Sequence, residues 1–333
     1  MNASRGGALL AALIALAASL TAPAHAAAPA VPAAPAAPAA PAPGGLAWSV
    51  KPAGAKGQSR RDYFVYTLSP GQRVRDKVVI SNLSDRALTF RVYATDAFNT
   101  ADGSFALLTA DRQAADIGTW LAVGGAPTRT VEPGKSVTVP FTLTVPSGAT
   151  PGDHSGGVIA AVTEQTTGAQ GQRVNVDRRV AARVYARVNG AVSSSLQVES
   201  LKVAPDSPLL GSGDVKVTYR IRNAGNVRLA ATARLGVTGP FGAGLGGSVT
   251  RDVPELLPGN AYTFTDEVRG VVPAGPLTAS LRLTPLDPME AGSAARPTVR
   301  TAGWWATPWP AVAALVLAVA AALHLVRRRR SRA

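Results

Sequence analysis

An alternation with a period of two runs through the middle of this chain and constrains its fold more than any other feature. Val137, Val139, Phe141, Leu143 and Val145 alternate with Thr138, Pro140, Thr142, Thr144 and Pro146. Val215, Val217, Tyr219 and Ile221 alternate with Lys216, Thr218, Arg220 and Arg222. Successive side chains of a strand point to opposite faces, so each run buries one face and wets the other. Further strands are expected at 63–68, 75–82, 88–94, 157–162, 180–188, 229–237, 262–268 and 277–286, with Gly, Pro, Asn and Asp between them. The best short helix falls near 112–117. Many short antiparallel strands at this spacing predict an all-β chain of two tandem immunoglobulin-like β-sandwich domains.

The two modules echo one another. VVISNLSDRALTFRV surrounds Asn82, and TYRIRNAGNVRLAAT surrounds Asn223. Each is a strand, an Asn-containing turn and another strand, and Asn bends a chain by bonding its own backbone. A Pro-Gly pair then follows each turn before a later strand, at Pro133-Gly134 and at Pro258-Gly259, with a further pair at Pro70-Gly71. Pro then Gly suits the two central positions of a type II turn. The small, polar stretch GAVSSS separates a first domain at 46–189 from a second at 196–297.

Both ends carry addressing signals. Arg5, the apolar run from Ala8 to Leu20 and Ala24-His25-Ala26 predict a secretory signal peptide over 1–26. The Ala/Pro-rich linker at 27–45 is expected to be an extended spacer. At the other end a transmembrane helix is expected over 304–326, followed by a basic cytoplasmic tail at 327–333. Trp304, Trp305 and Trp309 suit one membrane interface, and Arg327, Arg328, Arg329 and Arg330 mark the cytoplasmic side by the positive-inside rule. The expected topology is single-pass type I in the plasma membrane, with the ectodomain outside, facing the cell wall.

Residue inventory narrows the chemistry. The chain has no cysteine and three histidines, of which His25 lies in the signal peptide and His324 in the apolar segment. That leaves His154, which excludes thiol chemistry and disfavours a transition-metal site. No cofactor is expected. Gly242 to Gly247 satisfies G-x-G-x-x-G, but Pro240 and Phe241 precede it and Ser248-Val249-Thr250 follow without the helical pattern that pyrophosphate binding needs, so a flexible loop is expected. Asp266 and Glu267 are neighbours on a strand and face opposite ways. The net charge of +14 includes arginines spaced along strands, and Arg183, Tyr185 and Arg187 share one strand face as a candidate basic surface. Nucleic acid is not expected as a partner, since few aromatic residues interleave with these charges.

Trp48-Ser49-Val50-Lys51-Pro52, the stretch from Tyr63 to Phe105 with its PGQ and N-x-S turns, and the stretch from Thr130 to Val162 with its PG-x-x-x-GGV segment come in a distinctive order. In order and spacing they resemble the peptidoglycan-binding domain of the WxL-interacting protein family. The plan of the whole chain resembles that family too, with a second immunoglobulin-like domain of host-binding type, a membrane helix and a basic tail. The resemblance implies a non-enzymatic surface protein whose partners are peptidoglycan or an anionic wall polymer, with a WxL-type surface protein as a further partner. It makes Gly152, Asp153, His154, Ser155, Gly156 and Gly157 the candidate binding loop. The alternative is a surface adhesin or assembly scaffold that acts between proteins and binds no glycan.

Overall fold

A computed structural model describes residues 45–54, 61–167, 172–206, 211–289 and 296–331. The expected signal peptide lies outside the described residues, as does the linker up to residue 44. The described part begins with β1 (Trp48–Pro52), β2 (Phe64–Leu68), β3 (Arg73–Asn82), β4 (Leu88–Asn99) and β5 (Phe105–Leu107). The short helix α1 (Ile117–Trp120) precedes β6 (Leu121–Val123), β7 (Thr128–Val131), β8 (Ser136–Thr144), β9 (Gly152–Thr167) and β10 (Arg173–Val188). Then come β11 (Leu196–Pro205), β12 (Gly213–Asn223), β13 (Leu229–Thr238), β14 (Gly244–Leu256), β15 (Ala261–Val271), β16 (Gly275–Leu286), β17 (Thr298–Ala306) and the helix α2 (Trp309–Arg330).

The strands form sheets around two hydrophobic cores. One sheet, in the order β1-β3-β8-β6, faces another in the order β2-β10-β9-β4-β5, with β7 also on β4. Val78, Ile80, Val139, Phe141 and Leu143 from the first sheet meet Phe64, Phe90, Val158, Ala160 and Val184 from the second. The same period of two that predicted strands therefore fills this core from both sides. Pairing is antiparallel except where β2 runs parallel to the last five residues of β10, Val184 to Val188. The second core lies between β11-β12-β15 and β14-β13-β16-β17. There Val217, Tyr219, Ile221 and Phe264 meet Leu235, Leu281 and Leu283.

The two Asn turns are built alike. Asn82 is fully buried; its Nδ2 donates to the Arg86 carbonyl at 2.7 Å and to the Val131 carbonyl at 2.8 Å. Its Oδ1 accepts the Ser84 amide at 2.9 Å. Asn223, also fully buried, donates to the Val227 carbonyl at 2.7 Å and the Leu256 carbonyl at 2.9 Å, and accepts the Gly225 amide at 3.0 Å. The Pro-Gly turns close the same arrangement, since the Asn82 amide donates to Lys135 and the Asn223 amide to Asn260, each just past its Pro-Gly pair. Every polar atom of the carboxamide has a partner, which is what permits its burial.

Several elements depart from the sequence expectation, and the Gly-rich stretch at 242–247, expected to be a loop, runs into β14 from Gly244. β9 and β10 are each 16 residues long, where 157–162 and 180–188 were expected. The helix falls at Ile117–Trp120 rather than at 112–117, because the Asp96 carboxylate gathers the amides of Ala115, Asp116 and Gly118 at its start, at 2.6, 2.9 and 2.6 Å. The segment holding Trp304 and Trp305 is not helical: it forms β17 and pairs with β16. The apolar helix accordingly spans Trp309–Arg330, with an apolar window of mean hydropathy 2.2 of which none is buried. Trp309 and Arg327 to Arg330 lie at its two ends, and the arginines complement the negative end of the helix dipole.

Candidate functional site

The segment from Gly152 to Gly157 is a strand, not a loop, and this corrects the first expectation about it. It opens β9, and its residues are buried. Gly152 has φ 120°, a left-handed backbone, and a Cβ there would run into the Asn226 carbonyl. A Cβ on Gly156 would meet the Ile117 side chain and the Thr95 carbonyl. These glycines let the chain pass close to its neighbours rather than expose it to a ligand.

Asp153 is the centre of a buried ion cluster between the two cores. Arg187 grips it with two bonds, Nε to Oδ1 at 2.6 Å and Nη2 to Oδ2 at 2.8 Å. Nη2 also donates to Asp287 at 3.0 Å. The Arg228 amide donates to Asp153 at 2.9 Å, and the Asp153 amide donates to the Asn226 carbonyl at 2.7 Å. The Arg228 guanidinium lies 3.9 Å from the centre of the Tyr185 ring and pairs with Glu255 at 3.1 Å. The bond to Asp153 does most to hold the Arg187 guanidinium above the ordinary arginine pKa, against the opposing effect of burial. Such bidentate, desolvated pairing fixes geometry and leaves little charge for a ligand. Asn99 adds a second tie, donating to the Glu255 carbonyl at 2.8 Å and accepting the Leu257 amide at 2.9 Å.

His154 faces the other way and meets α1. Its Nδ1 lies 2.6 Å from Asp116 and its Nε2 lies 3.0 Å from the Thr150 carbonyl, while Trp120 packs on its ring at 4.4 Å between centroids. Both partners can accept, so the protonated ring can donate from both nitrogens. Burial opposes that charge, but the bonds to Asp116 and Thr150 and the nearby carboxylates outweigh it and raise the His154 pKa. With Nε2 bonded to Thr150, His154 is not placed to activate Ser155, the next residue on the strand, whose side chain points to the opposite face.

Arg183, Tyr185 and Arg187 do share a strand face, as expected, but that face is not an exposed basic surface. Tyr185 and Arg187 are buried, and only Arg183 reaches solvent. Phe105 of β5 lies over this part of the sheet, 5.9 Å from the Tyr185 ring and 4.5 Å from the Arg183 guanidinium. Arg179 donates to the Leu108 carbonyl at 3.1 Å. Beside them a cleft of about 450 Å³ is lined by Phe105, Leu107, Ile159, Asp177, Arg179 and Arg183.

Sequence reasoning missed the long hairpin of β9 and β10. β10 pairs with β9 along its whole length, from Arg173 to Val188. On its other side β2 covers only Val184 to Val188. Among the described residues no strand pairs with that side from Arg173 to Arg183, so a row of backbone donors and acceptors is left open there. Val174 and Val176 continue the register of the core-facing Val180, Ala182 and Val184 beyond the core and are 41% and 38% exposed. The opposite flank of the hairpin is tethered instead. Arg91 pairs with Asp177 at 3.2 Å and Arg86 with Glu164 at 2.9 Å.

No protein-family model matches the chain, and no curated protein matches it. Solved structures to which the chain is similar include fimbrial chaperones. A chain of the chaperone–tip adhesin complex of CFA/I fimbriae biogenesis is 10% identical over 79% of this chain and 99% of its own, with a TM-score of 0.37. The class 5 fimbriae chaperone CfaA is 11% identical over 73% of this chain and 95% of its own, with a TM-score of 0.35. The CupB2 chaperone of Pseudomonas aeruginosa is 12% identical over 72% and 96%, with a TM-score of 0.31. No residue role is taken from them. Two expectations are corrected here: peptidoglycan binding as the function, and peptidoglycan or an anionic wall polymer as the partner. The first of these structures is named with a tip adhesin, and none of the three with a wall polymer. The residues nominated for the polymer are, apart from Arg183, buried between strands.

Proposed function

We propose that this chain is a non-enzymatic assembly scaffold, anchored in a membrane, that holds an extended segment of a protein partner against the open side of β10. The unpaired run from Arg173 to Arg183 is the observation that carries this reading. Long bare strand edges invite pairing, and natural proteins cover or disrupt those they do not use. An added strand takes its affinity from main-chain bonds and its specificity from alternate side chains, which here include the exposed Val174 and Val176. The fimbrial chaperones of similar fold act in the same class of process, between proteins.

The two cores are read as two tandem immunoglobulin-like domains, at 46–189 and from 196 onward. α2 is read as a single membrane span of about 33 Å, long enough for the hydrocarbon layer. By the positive-inside rule its arginines are read as cytoplasmic and both domains as lying outside, after export by the signal peptide over 1–26. Kinship with the WxL-interacting proteins belongs to the same proposal through the motif order of the first domain, and it too calls for a surface-protein partner.

Photo-crosslinking in native membranes tests this reading. A photoreactive residue at Val174 or Val176 of the full chain is expected to trap the same protein in both cases, while one at Arg282 of β16 traps nothing. Equal trapping at all three positions, or none at Val174 and Val176, would count against edge binding.

A further inference from the structure

One end of the second core carries exposed apolar groups. Thr238 of β13 pairs with both Gly244 and Thr278, and Gly275 of β16 pairs with Ala306, so the ends of four strands meet there. The Val272 amide donates to the Leu245 carbonyl at 2.8 Å, which brings the turn after β15 to the same end. Phe241, at the tip of the turn between β13 and β14, is fully exposed and has φ 60°. A left-handed backbone is costly for an aromatic residue, so the turn holds this ring in water at a price in strain. Trp305 is 68% exposed, and Val272 and Trp309 are exposed as well. Trp304, by contrast, packs on the core from the other face of β17.

Three stretches that form this end have no charge. Residues 239–250, 271–281 and 301–323 contain no Asp, Glu, Lys, Arg or His. Asp214 on β12 and Arg269 on β15 lie in the other sheet, and the Asp206 amide donates to the Asp214 carbonyl there. Only Thr307 and Pro308 separate β17 from α2. Two residues span at most about 7 Å, so this end of the sheet cannot leave the surface that α2 enters.

Resting on the membrane-spanning reading of α2, we infer that this end of the second core is a lipid-docking surface, with Phe241, Val272 and Trp305 seated in the interface of the same bilayer. Aromatic rings prefer that layer, and exposed apolar groups without charge partition into it. The occupant is the outer leaflet around the helix. Docking there sets the height and tilt of the protein on the membrane, which a flexible stalk would leave free.

The chain has no cysteine, so single labels are clean. Spin labels are placed in the full chain at Phe241→Cys, Val272→Cys, Leu317→Cys in α2 and Thr263→Cys on the exposed face of β15. The protein is reconstituted in bilayer discs of phosphatidylcholine and phosphatidylglycerol. Labels at 241, 272 and 317 are expected to relax with dissolved oxygen and to lose relaxation by a water-soluble nickel chelate, while the label at 263 relaxes with the chelate. If 317 is shielded but 241 and 272 both relax like 263, docking is refuted and the membrane span stands. If 317 itself relaxes with the chelate, the span is refuted and docking with it.

Discussion

The two cores solve the same packing problem twice and end differently. Each buries an Asn that ties a turn to a distant strand, and each pairs a Tyr hydroxyl with an Asp held by an Arg. In the first, Tyr66 donates to Asp76 at 2.7 Å and Arg61 bonds Asp76 at 3.0 Å. In the second, Tyr219 donates to Asp266 at 2.6 Å and Arg251 bonds Asp266 at 2.7 Å. Burial, then the Asp partner, drives both Tyr pKa values far above ordinary. The last strand of the first core is β10, with its open side, while the last strand of the second is β17, which leads into α2. The same internal motifs recur in both cores; the final strand of one has an open side, and that of the other leads into the apolar helix.

Substitutions can break this comparison or sharpen it. Asp153→Ala leaves Arg187 and the Arg228 amide without their buried partner, and it should cost about 3–5 kcal/mol in chemical denaturation. Because Asp153 joins the two cores, the loss should appear in probes of both; a loss confined to the first would mean the cores are coupled elsewhere. Asn82→Ala and Asn223→Ala should each cost about 1–3 kcal/mol, and by similar amounts, since they strand equivalent carbonyls. Clearly unequal losses would end the structural equivalence of the two turns. Tyr219→Phe should cost about 1.5 kcal/mol. Tyr66→Phe should cost less, because the Asp76 side chain is 18% exposed against 3% for Asp266.

The smallest effect is a pH dependence peculiar to the first core. The His154 pKa is raised above 6.5, so its pairing contributes fully below that value and fades as pH rises through the folded-state value. Asp116→Asn should flatten this slope in a pH series of unfolding midpoints. An unchanged slope would assign the dependence to another group.

Where the alternation is strict, the sequence made the core legible. The alternation at Val137 to Val145 and at Val215 to Ile221 located strands because burial imposes the pattern. The Asn and Pro-Gly echo was readable because both turns need the same residues. The outer half of the β9–β10 hairpin was not, because beyond the core both faces are wet and Thr163, Gln165, Asn175 and Asp177 are free to be polar. β17 was hidden by Trp304 and Trp305, which carry the composition of a membrane interface while one of them packs on the core. The ion cluster was hidden because Asp153, Arg187, Arg228 and Asp287 are far apart in sequence, and a charged residue alone predicts solvent. The period of two put Arg183, Tyr185 and Arg187 on one face but carried no information about what covers it.

Residue-resolved amide exchange of the full chain, without any partner, tests the open edge most directly. From Arg173 to Arg183 alternate amides point away from β9, so every second one should exchange fast and its neighbours slowly. Val184 to Val188, paired on both sides, should be protected throughout. Uniform protection from Arg173 to Val188 would mean that the edge is already covered and would contradict a scaffold that offers it to a partner.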